Sequence, residues 1–285
     1  MVEFQHIKEY LSTALGTEGS LLIPKKIMDT LIAETEKALI PRSEAAMYLG
    51  PSSFGIGASS IDVDLETPDS LQVRQTGEGA EFVMDAPAYT TFNIKPAKYG
   101  VAIRITRELL EDAKWNLLQR TVKLSGKRLA ENENSLIITA LDSAANTVSG
   151  GAAVSIANVT RAMQHLEDAD YAATTFAVGS EVVNDLRNID TFAEVDKSGS
   201  NETLAKGFVG VIYGMKVFRV STNAGMTTTS AYVFDRDFGY MIVEKRPVTI
   251  ENFDLPLIDS SAAVVSQRLA VKNIRSAAVA KITSS

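Results

Sequence analysis

Two extended legs meeting at Gly77-Glu78-Gly79 occupy residues 58–94, and one long helix is predicted over residues 107–141. Extended chain rises about 3.3 Å per residue, so each leg reaches roughly 50 Å. At 1.5 Å per residue the helix also spans about 50 Å. A compact body of 285 residues has a radius of gyration of about 19 Å, or roughly 50 Å across. An arm of that length cannot fold back fully onto its own body. Its apolar residues require cover on another molecule, which points to assembly and away from catalysis.

Composition narrows the classes further. The chain is 45% hydrophobic and 22% charged, as expected of a core-forming protein. It has no cysteine, which removes disulfides, thiolate metal sites and cysteine nucleophiles. A net charge of −7 argues against wrapping nucleic acid, because phosphate binding concentrates Lys and Arg. A protein of this charge that surrounds a polyanion acts as a container. No run approaches the ~18 apolar residues of a membrane span, and the N-terminus lacks the basic start and apolar centre of a signal peptide. These features predict no membrane partner and synthesis in the cytoplasm.

Along the chain, Phe4, Ile7, Leu11 and Leu15 fall on one helical face. Pro24 suits the first turn of a helix, and Pro41 ends it. Ile61, Val63 and Leu65 alternate with Asp62, Asp64 and Glu66, the period of a half-covered strand. The returning leg begins at Phe82 and Met84 and runs to Ile94. Tyr99, Val101, Ile103 and Ile105 alternate into Thr106, a candidate N-cap. Leu110, Ala113, Leu117, Leu124, Leu129 and Leu136 continue one helical stripe, with Asn132-Glu133-Asn134 read as a solvated polar interruption. Ser149-Gly150-Gly151 is the best internal boundary. Helix and strand then alternate, a strand–turn–strand unit is predicted over residues 207–217, and the segment from Pro247 onward is strand-rich.

Catalytic chemistry finds little to stand on. The two histidines, His6 and His165, assemble into neither a triad nor a zinc site. Gly77-Glu78-Gly79 lacks the βαβ unit of a dinucleotide site and reads as a tight turn. The pairs Asp62/Asp64 and Asp235/Asp237 could hold a hard cation, but Arg236 between the latter favours a solvated turn. The expectation is no catalytic residue, no cofactor and no metal. Trp115 reads as a core anchor or a subunit contact, since tryptophan is enriched at interfaces.

The order of parts resembles the major capsid proteins of tailed viruses with the Hong Kong 97 bacteriophage fold. The resemblance rests on GSLLIPKKIMDTLI, on the arm at 58–94, and on KYGVAIRITRELLEDAKWNLLQRTVKLSGKRLAENENSLI. It continues through FAVGSEVVNDLRNID, GVIYGMKVFRV, YVFDRDFGYMIVEKRPVTIE and VSQRLAVKNIRSAAVAKI. It implies an α+β fold laid out as an N-terminal arm at 1–22, the start of a peripheral lobe at 23–57 and an extended E-loop at 58–95. A peripheral lobe with its spine helix follows at 96–148, then a mixed α/β axial lobe at 149–250 and closing strands returning to the peripheral lobe at 251–285.

The implied role is a shell of pentamers and hexamers around packaged double-stranded DNA in a virion. The resemblance admits separate scaffolding, portal and decoration proteins as further partners. Some members lock the shell through an E-loop lysine, but no lysine occurs between Lys37 and Lys95, so that bond is not expected. The chain begins almost at the mature arm, so scaffolding is expected from another protein or from a segment already removed. The expected subunit contacts are Arg74, Glu78, Glu81, Phe82 and Trp115. An encapsulin-like compartment shares the fold, and an unrelated α+β enzyme is the alternative of a different class.

Overall fold

The computed structural model describes residues 42–55, 57–67, 71–106, 117–189, 211–255, 258 and 260–284. The expected N-terminal arm, the helix beginning at Pro24 and the segment carrying Trp115 lie outside these residues. Among the described residues four short 3-10 turns punctuate connections, the first at Arg42–Glu44. The strands are β1 Met47–Leu49, β2 Ile61–Glu66, β3 Tyr89–Ile94, β4 Ala97–Thr106, β5 Asn146–Gly151, β6 Thr175–Val178, β7 Val211–Ile212, β8 Met215–Arg219, β9 Ser230–Phe234, β10 Tyr240–Leu255, β11 Ser260–Asn273 and β12 Val279–Ser284. The helices are α1 Leu117–Leu141, α2 Ile156–Glu167 and α3 Ser180–Arg187.

Three sheets result among the described residues. One has the order β1-β10-β11-β4, a second β5-β12-β9-β6-β8-β7, and the third is the β2-β3 hairpin. Period-two alternation explains how the six-stranded sheet is filled. Phe176, Val178, Ala231 and Val233 point to one side, where Val159, Ala162 and Leu166 of α2 and Val182, Val183 and Leu186 of α3 cover them. Ala177, Tyr232, Phe234 and Val279 point to the other side, where Ile137, Ile138 and Leu141 of α1 cover them. That second cluster also holds Tyr240 and Ile242 of β10, so α1 joins the two larger sheets through one core. Lys281 and Tyr232 bind Asp142 just past the end of α1, and the hydrogen bond from Lys281 holds the Asp142 carboxyl below its usual range. The strand–turn–strand unit is present as β7 and β8, with Tyr213 and Gly214 both at positive φ (49° and 83°), the geometry of a type I′ hairpin turn.

The structure corrects several expectations. Ser149-Gly150-Gly151, read as an internal boundary, forms the end of β5 and pairs with β12. The closing segment divides: β11 lies in the four-stranded sheet while β12 enters the six-stranded one between β5 and β9. A single strand-to-strand period cannot reveal which sheet a strand joins. Leu124, expected on the covered stripe of α1, is exposed. Glu133 and Asn134, expected in solvent, are buried.

Candidate interaction surface

The ribbon is built in two parts with different physics. At its base, β2 and β3 pair in register from Ile61↔Ile94 to Glu66↔Tyr89. Val63 and Ile94 bury against Met241 and Val243 of β10. Three cations of the body hold the outer parts: Lys245 donates to the Ala58 carbonyl, Arg275 donates to the Glu66 carbonyl, and Lys272 lies 4.8 Å from the Phe92 ring centroid. The base therefore belongs to its own body.

Beyond the Thr67 N–H to Ala88 C=O bond (2.8 Å), strand pairing stops. Residues 71–77 and 80–88 have no ladder partners among the described residues. The legs are joined by side chains: Gln72 N–H donates to Asp85 Oδ2 (3.1 Å), and the Arg74 guanidinium lies 3.2 Å from Asp85 Oδ1. At the tip Ala80 N–H bonds the Gly77 carbonyl, with Gly79 at φ 77°. A non-glycine residue is disfavoured there. Leu71, Val73, Phe82, Val83 and Met84 are all more than half exposed, a concentration of apolar surface that marks interaction sites.

Of the expected contact residues, Glu78, Glu81 and Phe82 are exposed on this distal part. Arg74 has a different local task, since it staples the two legs through Asp85. Trp115 lies outside the described residues.

A second feature escaped the sequence reading. Arg42 Nε and Nη2 donate to the two carboxylate oxygens of Glu133 on α1 (2.8 and 2.9 Å), and Nη1 donates to Glu244 on β10 (3.2 Å). Tyr48 also donates to Glu244. Nearby, Glu44 accepts from Lys216 Nζ of β8 (2.9 Å) and Thr175 Oγ1 of β6 (3.0 Å). All three carboxylates are buried. Burial alone would lower the pKa of Arg42, but the hydrogen bond and charge of Glu133, with Glu244, outweigh it and raise that pKa. The network ties the 42–49 segment to a helix and both larger sheets. Its one visible trace in the sequence is Glu244, an acid directly after Tyr240-Met241-Ile242-Val243.

The surrounding phenols give an alkaline signature. Burial, then the bond to Glu244, pushes Tyr48 up to about 12. Burial also raises Tyr232, with Asp142 adding to it, and Tyr240, with the charges of Glu44 and Glu133 adding to it. A folded pKa above the unfolded value of 10.0 means a contribution fully present below pH 10 and lost as pH rises through about 12. Among the eight tyrosines, these three should ionise late and together with loss of circular dichroism. Complete tyrosinate absorbance near pH 10 with structure intact would contradict this.

No cluster of three or more His, Asp or Glu suited to a metal occurs among the described residues. Asp62 and Asp64 accept from Asn93 and Thr91 across the hairpin. Asp235, expected in a solvated turn, is buried and accepts from Ala172 N–H and Asp237 N–H, 3.0 and 2.9 Å. His165 is half-buried near the end of α2.

The sequence model described as "Phage capsid protein" matches residues 89–282. No curated protein matches the chain in sequence. Among solved structures, the bacteriophage PhiM1 mature capsid is 11% identical over 87% of each chain, with a TM-score of 0.66. Mycobacterium phage Che8 is 16% identical over 82% of this chain and 88% of that one, with a TM-score of 0.67. A virus-like particle from Pyrococcus furiosus is 14% identical over 90% and 98%, with a TM-score of 0.61. At these identities the likeness is one of fold, and it extends over most of both chains.

Proposed function

The chain belongs to the phage capsid protein family, and from that premise we propose that its copies form pentamers and hexamers that close into an icosahedral shell around packaged double-stranded DNA. The family is one of structural capsid proteins, which supports a structural rather than a catalytic role. In this reading the hairpin of β2 and β3 with its distal ribbon is the E-loop, the four-stranded sheet with α1 is the peripheral lobe, and the six-stranded sheet with α2 and α3 is the axial lobe.

The observation that carries the proposal is the ribbon at 71–88, which has no ladder partner among the described residues and leaves Leu71, Val73, Phe82, Val83 and Met84 more than half exposed. Fully burying each of its five large apolar side chains is worth about 1.5–3 kcal/mol, or roughly 8–15 kcal/mol together. Association of two bodies costs an estimated 4–15 kcal/mol. One ribbon thus holds a pair weakly. A ring in which every copy gives and receives a ribbon gains from multivalent closure, and such head-to-tail contacts close into rings. Scaffolding, portal and decoration proteins are the further partners this reading admits, and DNA is enclosed without base recognition. Negative-stain microscopy of the purified protein should show closed shells or capsomer rings. Uniform monomers at micromolar concentration and physiological salt would refute the reading.

A further inference from the structure

The ribbon is also where the protein keeps its charge. Residues 58–94 contain seven carboxylates and one cation, Arg74, so they carry six of the seven net negative charges. On β2, Asp62, Asp64 and Glu66 all face outward, away from the core contacts of Val63. Glu78 and Glu81 stand exposed near the tip.

The opposite charge lies on the four-stranded sheet. One face of that sheet packs on α1 through Val265 and Leu129. The other face divides along its length. Its first half, around Met241, Val243 and Ala270, is covered by the base of the ribbon from the same chain, where Lys272 reaches over Phe92. The second half begins at the next row, in which Arg246 of β10 is paired with Arg268 of β11 and Arg268 with Lys98 of β4. Residues paired across neighbouring strands share a face, and like charges placed opposite one another destabilise a sheet.

Among the described residues these cations meet no neutralising carboxylate. Arg246 donates to Ser266 Oγ (2.6 Å) while its buried Nε has no partner among the described residues, and Arg268 reaches the Pro96 carbonyl (3.4 Å). Among the described residues, neither they nor Lys98 and Arg104 form an ion pair. Gly100 and Ala102, which follow Lys98 on this face, keep its floor low and exposed. A chain thus holds the base of its own ribbon with cations on one half of a sheet face; the half beside it carries Lys98, Arg104, Arg246 and Arg268, with Glu251, two rows beyond Arg246, as its one carboxylate among the described residues.

We propose that this second half, centred on Lys98, Arg246 and Arg268, is the seat for the acidic distal ribbon of a second copy, with Glu78 and Glu81 as the carboxylates it receives. This rests on the shell reading above and adds to it an address: charge complementarity selects where along the sheet the ribbon lands. Such pairing fixes register and suppresses wrong docking more than it adds raw affinity.

A charge exchange tests it. Arg246→Glu with Arg268→Glu should lower particle yield at least tenfold, and Glu78→Lys with Glu81→Lys should do the same. All four changes in one chain should restore yield to within about threefold of the parent. Circular dichroism and thermal melts of each chain show that the subunit still folds. In parallel, a labelled peptide of residues 71–88 should bind dissociated parent subunits, and should bind the Arg246→Glu, Arg268→Glu chain at least tenfold more weakly. The seat is overturned if folded variants assemble like the parent, if the fourfold exchange gives no recovery, or if the face binds a 20-base-pair duplex and not the peptide. A parent that makes no particles sinks the shell reading instead, and peptide binding then still decides whether the seat exists.

Discussion

Replacing residues 71–86 by a short Gly-Ser connection abolishes particles while leaving a subunit that melts within a few degrees of the parent. Both halves of that result follow from where the ribbon divides. The base is stitched by the β2-β3 ladder up to Glu66↔Tyr89 and by the bond from Thr67 to Ala88. It buries Val63 and Ile94 against β10. The removed part contributes exposed side chains and one exposed ion pair, Arg74 with Asp85, and surface pairs of that kind are worth about 0–1 kcal/mol. Its loss therefore costs the lone subunit little. Each contact between copies loses the apolar burial estimated above, which exceeds what a weak interface can spare. Sedimentation and microscopy read assembly, and a thermal melt reads the subunit. Normal particles from the shortened chain would show that the ribbon is not the joint.

The second large effect lies in the subunit itself. Arg42→Ala strands two buried carboxylates, Glu133 and Glu244, whose side chains are 0% and 3% exposed. Breaking a buried pair by removing one partner costs about 3–5 kcal/mol, because the remaining charge loses its compensation without regaining water. Arg42 is about a third exposed, which places the expected loss toward the lower end. Replacing Arg42, Glu133 and Glu244 together by apolar residues of similar volume should recover much of it, since the charges leave together. Lys216→Ala should cost less, because its side chain is mostly exposed and Thr175 still donates to Glu44. Denaturant titrations of the three variants give the comparison. An Arg42→Ala chain as stable as the parent would mean that water reaches the network.

These two regions differ in how readable they were. The alternation of Ile61, Val63 and Leu65 with Asp62, Asp64 and Glu66 foretells a strand with one covered face, and the observed hairpin has that face. The pairing is fairly local, since β3 follows β2 after residues 67–88, but the face itself is covered by Met241 and Val243 of β10, far away in sequence. The extent of pairing was not legible, because a leg without a partner has the same extended composition as one with a partner. The ionic network was harder still. Glu133 sits among Asn132 and Asn134 on α1 and looks like a solvated patch until Arg42, 91 residues away, comes to meet it. Helical periodicity reports one face of a helix and says nothing about a cation arriving on another. The cationic row was hidden for a related reason, since Lys98, Arg246 and Arg268 become neighbours only through strand register.

The long separations within the larger sheets have a consequence for timing. Met47 pairs with Met241, Lys98 with Arg268, and Asn146 with Ala280, whereas Ile61 pairs with Ile94. A hairpin closes in about 1–10 μs, while folds dominated by distant pairings take milliseconds to seconds. Newly made chains therefore display their hairpins before any neighbour has a finished surface to accept them. During that interval the outward carboxylates Asp62, Asp64 and Glu66 make immature hairpins repel each other, so premature stacking is disfavoured until the slow sheets are complete.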